Sequence, residues 1–509
     1  MANPVLLHQR RKLLPRLSDY AKYRLLEMLP GILVWTTFAV ALWLCFFRPL
    51  WAIAFIMVFD LYWLVRVFYL LMYLLMAYQR LQQSLKVHWL ERCRQLPGWE
   101  NLYHIIFLPT AGETFEVLKT SLFALQHAEY PKDRMLVVLA TEGRFADQVR
   151  PIAERLRAEF GHVFRQFLVT EHPDNIPGEV KGKGSNIAWA GRKAKEWVDR
   201  ELRVSYENIL VSSFDVDTQA HPQYFSYLTC VFLSTPNRTH ASYQPVPLFN
   251  NNIWQSPALM RVASNATTFW LMTEQIRPER LFTFSSHSMS FQTLVDVGFW
   301  QSDIVTEDSR IFLQGLLRYD GDYRVIPMYI PVSMDTVMAH SLWRSFVNLY
   351  KQQRRWAYGV ENFPYMAWNF ARNPLIPLRT KLRYIWNQLE GVYSWATAPI
   401  LIFLFGQLPL RVSGDKLGNS IFAQNAPSLL QWLLTFAMVG LIVSAILSTT
   451  LLPPRPHGQP RVKILVIILQ WILFPVSMII FGSIPATDAQ TRLMLGKYLG
   501  FYVTEKART

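Results

Sequence analysis

The chain has 509 residues, 51% of them hydrophobic and only 17% charged, with a formal net charge of +15. That length accommodates a soluble domain of ordinary size plus several apolar helices, and the composition is shifted towards a membrane protein. The positive charge fits either a nucleic-acid partner or Lys/Arg facing anionic lipid, with some cations kept for a diphosphate. The basic residues sit beside apolar runs, as in Arg10-Arg11-Lys12, which favours the lipid reading and argues against nucleic acid.

Cys45, Cys93 and Cys230 match neither a zinc spacing nor a disulfide framework, as expected of a soluble part that faces a reducing cytoplasm. Two apolar runs open the chain, from about Gly31 to Phe47 and from Trp51 to about Met76, each long enough to cross a bilayer. The N-terminus lacks a small-residue cleavage site and reads as a retained anchor. The second run contains Asp60 and Arg66, two opposite charges expected to pair inside the bundle.

From about Leu85 to Asn373 the pattern changes to that of a soluble α/β domain. Short apolar runs at residues 105–109, 135–140 and 209–214 alternate with helical stretches at Glu113–Leu125 and Arg144–Phe160. The alternation predicts βαβ units and a mostly parallel sheet, with ligands at the carboxyl ends of the strands. Three more apolar runs follow, at about Val392–Leu410, Leu429–Leu452 and Ile464–Phe481, and the stretch from Gly482 to Thr509 is amphipathic and basic.

Ser212-Ser213-Phe214-Asp215-Val216-Asp217 is an apolar strand ending in two carboxylates one residue apart. Such a pair can hold a hard divalent cation, which keeps its waters and binds substrate phosphates through one or two carboxylates. Alone, Asp-x-Asp is commonly a solvated turn; the downstream Thr306-Glu307-Asp308 and Gln352-Gln353-Arg354-Arg355-Trp356 raise its weight. A glycosyl transfer that inverts the anomeric carbon needs one general base, and Asp308 fits. An Arg suits a diphosphate and an indole face suits a sugar ring. Without that company, the last motif would read as a basic juxtamembrane helix.

Taken together, these motifs resemble the cellulose synthase and hyaluronan synthase branch of the family-2 glycosyltransferases. The resemblance runs from Phe107-Leu108-Pro109-Thr110-Ala111-Gly112-Glu113 through Lys183-Gly184-Ser185-Asn186, Asp215-x-Asp217 and Thr306-Glu307-Asp308 to Gln352-x-x-Arg355-Trp356. The tail Phe501-Tyr502-Val503-Thr504-Glu505-Lys506 is similar to the Phe-x-Val-Thr-x-Lys gating loop of cellulose synthases. The resemblance implies a GT-A type (Rossmann-like) domain inserted between transmembrane helices. Residues 1–84 would carry two spans, 85–373 the cytoplasmic transferase, 374–486 further membrane helices with interfacial segments, and 487–509 the tail.

It also implies roles. Asp308 would be the base; Asp217, with Asp215, would hold Mg²⁺ or Mn²⁺. Thr110, Glu113, Glu142, Lys183, Asn186, Asp215, Thr504 and Lys506 would contact the nucleotide sugar, a UDP-sugar by expectation. Gln352, Arg355 and Trp356 would hold the glycan acceptor and the diphosphate. The chain departs from the family at Ala140-Thr141-Glu142-Gly143, where Asp-Asp-Gly is usual, in its Thr-Ala-Gly-Glu first motif, and at Ser285-Ser286-His287-Ser288, where His287 is either a sugar contact or a core histidine.

The expected enzyme sits in the cell (inner) membrane and extends a polysaccharide processively, coupled to export. The alternatives are transfer of one sugar to a lipid or polyprenyl phosphate, and a non-catalytic partner in an export complex. Three full spans after the domain would leave the tail outside, away from nucleotide sugars. One of the last three runs is therefore expected to be re-entrant or interfacial, and Pro475 marks the final one.

Overall fold

The computed structural model describes residues 17–406, 408–412 and 421–500. Its centre is an eight-stranded mixed sheet in the order β3-β2-β1-β4-β7-β6-β8-β5. The strands are β1 (Tyr103–Pro109), β2 (Met135–Glu142), β3 (Gln166–His172), β4 (Ile209–Ser213), β5 (Gln219–Ala220), β6 (Ala241–Phe249), β7 (His287–Ser290) and β8 (Arg324–Met334). β1, β2, β3 and β4 are mutually parallel, as the βαβ alternation predicts. β7 runs antiparallel to both β4 and β6, while β6 and β8 are parallel and β5 closes the edge antiparallel to β8. The parallel half is thus joined to a mixed half, within the α/β class expected.

Alternation along the strands builds two cores. Ile106 and Leu108 of β1 and Val137 and Leu139 of β2 enter one, under the helices Phe115–Gln126, Ala146–Phe160 and Tyr224–Ser234. Ile105 and Phe107, with Leu136 and Val138, enter the other, under Lys183–Trp197, Phe291–Asp296 and Glu307–Arg318. Strands covered on both faces read as continuous apolar runs, which is how β1, β2 and β4 announce themselves in the sequence. Each such side chain contributes about 1.5–3 kcal/mol by leaving water.

Five helical runs are long and apolar enough to cross a membrane: Ser18–Phe47, Pro49–Ser84, Leu378–Val412, Gln424–Thr450 and Val462–Met494. They correspond to the five apolar runs of the sequence. Asp60 and Arg66 do not pair. Six residues apart, they lie on different helix faces, and Arg66 instead reaches Glu390 of the Leu378–Val412 run. Arg280, on the domain, lies 3.8 Å from the same carboxylate. Asp60 is buried, with Oδ1 lacking a hydrogen-bond partner among the described residues.

The final run packs on the α/β domain and, from Ser483 on, also on the first and third apolar runs. Ile467 packs with Ile253 and Trp254, and Trp471 stacks on Phe269 at 5.7 Å. Arg261 Nε donates to Gln470 Oε1 (2.7 Å), Phe481 stacks on Phe346 (5.9 Å), and Arg354 Nη1 donates to Asp488 Oδ2 (2.9 Å). Around Pro475 the helix changes pitch, through a 3-10 turn at Gln470–Leu473 and wide π turns at Met478–Ser483. A proline in a helix removes one bond and crowds another, which favours such a change. The opposite face leaves Leu465, Leu469, Ile472, Val476 and Ile480 exposed.

Candidate active site

Parallel strands end on one edge, so the carboxyl ends of β1, β2 and β4 deliver Thr110, Glu142 and Asp215 to a common rim. The β1 loop is self-supporting. Glu113 Oε2 accepts from Thr110 Oγ1 (2.8 Å) and from the Ala111 N–H (2.7 Å), while the Thr110 N–H donates to Ala140 O (2.8 Å). At the end of β2, Glu142 is buried and accepts from Arg144 Nε at 2.7 Å. Burial pushes its carboxyl above the usual range despite that guanidinium. Glu142, Arg144, His172, Lys181 and Ser185 line a small cleft at this rim.

The helix Lys183–Trp197 begins at the rim and carries two of the expected residues. Asn186 Nδ2 donates to Ala140 O (2.8 Å), tying the helix to β2, and its buried Oδ1 has no partner among the described residues. Gly184 lets the helix start close to the helix Glu307–Arg318: a Cβ there would stand 3.2 Å from Glu307 Cβ and from Gln301 O. That approach puts Lys183 at the centre of the site.

Lys183 Nζ lies 2.7 Å from Asp215 Oδ1, 3.0 and 2.8 Å from the two Asp308 oxygens, and 3.9 Å from Glu307 Oε1. Its side chain is only 8% exposed. Burial would lower its pKa, but Asp215, Asp308 and Glu307 outweigh that and hold it above the ordinary lysine value. Asp215 Oδ2 accepts from Ser285 Oγ at 2.6 Å. Glu307, 2% exposed, is pushed up to about 8, first by burial and then by the Asp308 charge beside it.

Asp217 is 1% exposed, and its Oδ2 accepts the Asp335 N–H at 2.9 Å just past β8. Asn251 Nδ2 bridges Asp217 O (3.1 Å) and Asp335 Oδ1 (3.0 Å). His287 is wholly buried, with Nδ1 2.9 Å from Phe284 O and 3.9 Å from Asp308 Oδ1. Burial lowers its pKa, so it is a neutral core histidine behind the base candidate.

Gln352, Arg355 and Trp356 share a face of the helix Leu342–Ala357, at i, i+3 and i+4. Trp356 lies 5.7 Å from the Phe249 ring, and the Arg355 charge acts on Glu307. The neighbouring Arg354 faces away, to Asp488. The structure thus joins Lys183, Asp215 and Asp308 directly, with Arg355 close by, and gives Glu113 and Asn186 bonds that hold loops. Ser285 and Asp335 are contacts the motif reading missed. Thr504 and Lys506 lie outside the described residues. Among the described residues no group of three or more His, Cys, Asp or Glu side chains gathers as a metal cage.

Residues 210–482, more than half of the chain, match the family described as Glycosyl transferase family group 2. No curated protein matches the chain. Among solved structures, it is similar to the mannosyltransferase PcManGT from Pyrobaculum calidifontis in complex with GDP-Man and Mn²⁺, at 13% identity over 83% of this chain and 99% of that one, with a TM-score of 0.42. It is also similar to S. aureus TarS 1-349 in complex with UDP-GlcNAc, at 12% identity over 70% of this chain and 98% of that one, with a TM-score of 0.36.

Proposed function

The chain belongs to glycosyl transferase family group 2, and on that premise we propose a membrane-integrated inverting transferase that extends a polysaccharide from a nucleotide sugar, expected to be a UDP-sugar, processively and with export. The observation that carries this is the Lys183-linked pair Asp215 and Asp308 at the strand-end rim, beside the helix bearing Arg355 and Trp356. Asp308 is the general base: at the start of its helix it takes the proton of the acceptor hydroxyl as that oxygen attacks the anomeric carbon. Trp356 offers a face for the acceptor sugar, and Arg355 a fixed cation for the departing diphosphate.

Asp215 and Asp217 suit a hard divalent cation. They are carboxylates two positions apart at a strand end, and Asp215 is held by an ammonium and a hydroxyl that can exchange for other partners. When bound, Mg²⁺ or Mn²⁺ neutralises charge on the leaving diphosphate. Glu142 and Asn186 would contact the nucleotide sugar in this reading.

Four apolar runs cross the membrane in this reading, and the last lies along the domain with its exposed Leu469–Ile472–Val476 side in lipid. Leu17 and Gly500 would then share the cytoplasmic side of the cell membrane, where nucleotide sugars are. The contacts of Ile467, Trp471, Phe481 and Asp488 with the domain support this placement.

The test is purified protein in nanodiscs, given labelled nucleotide sugars with Mg²⁺ or Mn²⁺. High-molecular-weight glycan is expected. A single sugar on a lipid acceptor would replace the polymer reading with lipid glycosylation, and no transfer from any donor would leave a non-catalytic partner.

A further inference from the structure

Three carboxyl side chains crowd one ammonium at the rim. Asp215, Glu307 and Asp308 all lie within 3.9 Å of Lys183 Nζ. Both oxygens of Asp308 face the ammonium, at 3.0 and 2.8 Å, so the lysine stands on the atoms that would take the acceptor's proton. Asp215 is equally engaged, with Oδ1 on Lys183 and Oδ2 on Ser285. The base and the cation ligand of the proposed reaction are thus both occupied by one lysine.

We propose that Lys183 is a resident counter-cation that holds the substrate-free site closed to metal and is displaced by the metal and diphosphate together. The inference rests on the metal-dependent transferase reading above. A divalent cation bound to Asp215 would stand about 2.0–2.6 Å from its oxygen, on the carboxylate where Lys183 now sits, and two cations sharing one carboxylate repel. The incoming diphosphate supplies the new acceptor that Lys183 needs. The ammonium would move to phosphate oxygens, leaving Asp215 to hold the cation and Asp308 to accept a proton. Nucleotide, metal and base are then linked through one side chain, so a metal ion without nucleotide meets an occupied site.

The experiment is Mn²⁺ titration of the full-length protein in nanodiscs, with free Mn²⁺ read by electron paramagnetic resonance, with and without UDP and GDP. Without nucleotide, Lys183→Met should bind Mn²⁺ about tenfold or more tightly than the unsubstituted protein, the size of an ordinary coupling between two ligands. Lys183→Arg, which keeps the charge, should bind as weakly as the unsubstituted protein, and turnover of Lys183→Met should fall although its metal affinity rises. Lys183→Gln serves as a second uncharged variant, with thermal unfolding of each checked first. Equal Mn²⁺ affinity in the charged and uncharged variants would overturn the exchange. So would sugar transfer with no Mn²⁺ bound at any nucleotide concentration, since Lys183 would then be a permanent cation. Failure of the transferase reading is seen separately, as no sugar transfer by the unsubstituted protein from any donor.

Discussion

Replacing Asp308 with asparagine keeps the shape of the side chain and removes the proton-accepting charge. A positioned general base contributes about 10²–10⁴-fold, so turnover should fall by at least about 100-fold. Stability should change far less. Asp308 is 21% exposed and shares Lys183 with Asp215 and Glu307, so the lost charge-assisted bond, about 1.5–3 kcal/mol taken alone, is partly replaced by those neighbours and by the amide oxygen. Removal of its charge also relieves Glu307, whose pKa it raises. A net loss of about 1–2 kcal/mol is expected. The assay is initial-rate sugar transfer in nanodiscs beside nucleotide binding by equilibrium titration, with thermal unfolding as the fold control. Turnover within tenfold of the unsubstituted protein, in a folded variant that binds nucleotide, would remove Asp308 as the base.

Glu307 has a folded pKa of about 8 against an ordinary value of 4.5, so the folded state holds its proton where the unfolded state has lost it. Its stabilising contribution is complete below pH 4.5 and is lost as pH rises through 8; thermal unfolding should fall across that window, and Glu307→Gln should flatten the fall. A slope unchanged by the substitution would contradict the assignment. Gly184→Ala places a methyl 3.2 Å from Glu307 Cβ and Gln301 O; it should cost about 1–3 kcal/mol and depress turnover by shifting Lys183, and a variant equal to the parent in both would refute the close-approach role. Asp488→Ala removes the acceptor of Arg354, Tyr350 and Arg492. It should loosen Ile484–Met494 by about 2 kcal/mol, seen as faster amide exchange there, and unchanged exchange would show that apolar packing alone holds the helix.

The parallel half of the sheet was legible because β1, β2 and β4 are buried on both faces and read as unbroken apolar runs. The mixed half was not. β6 and β8 carry prolines at Pro245, Pro247, Pro327 and Pro331, which argue against a central strand, and their ladder shifts register between Gln244 and Val246 to accommodate them. β5 and β7 are short, and β7 is largely polar: Ser288 bonds Ser212 Oγ on β4 and Tyr224 OH on the helix Tyr224–Ser234. At the rim, motif order was enough to name Lys183, Asp215 and Asp308, but spacing in sequence cannot show that one ammonium bridges the two carboxylates. Ser285 stood in a stretch marked only as unusual. Asp335 follows a strand that prolines hid, so no local signal pointed to it. The expected pairing of Asp60 with Arg66 failed because proximity in sequence was taken for proximity on a helix.

The Arg66–Glu390 contact joins residues 324 positions apart, which has a consequence for how the protein is made. Ribosomes add about 5–20 residues per second, so roughly 16–65 seconds separate the synthesis of the arginine from that of its partner. During that interval the Pro49–Ser84 helix carries a cation whose ion-pair partner has not yet been made. When Glu390 arrives, the pairing draws the third apolar run against the second, with Arg280 of the finished domain at the same carboxylate. The ion pair can therefore close only after the intervening residues have been made.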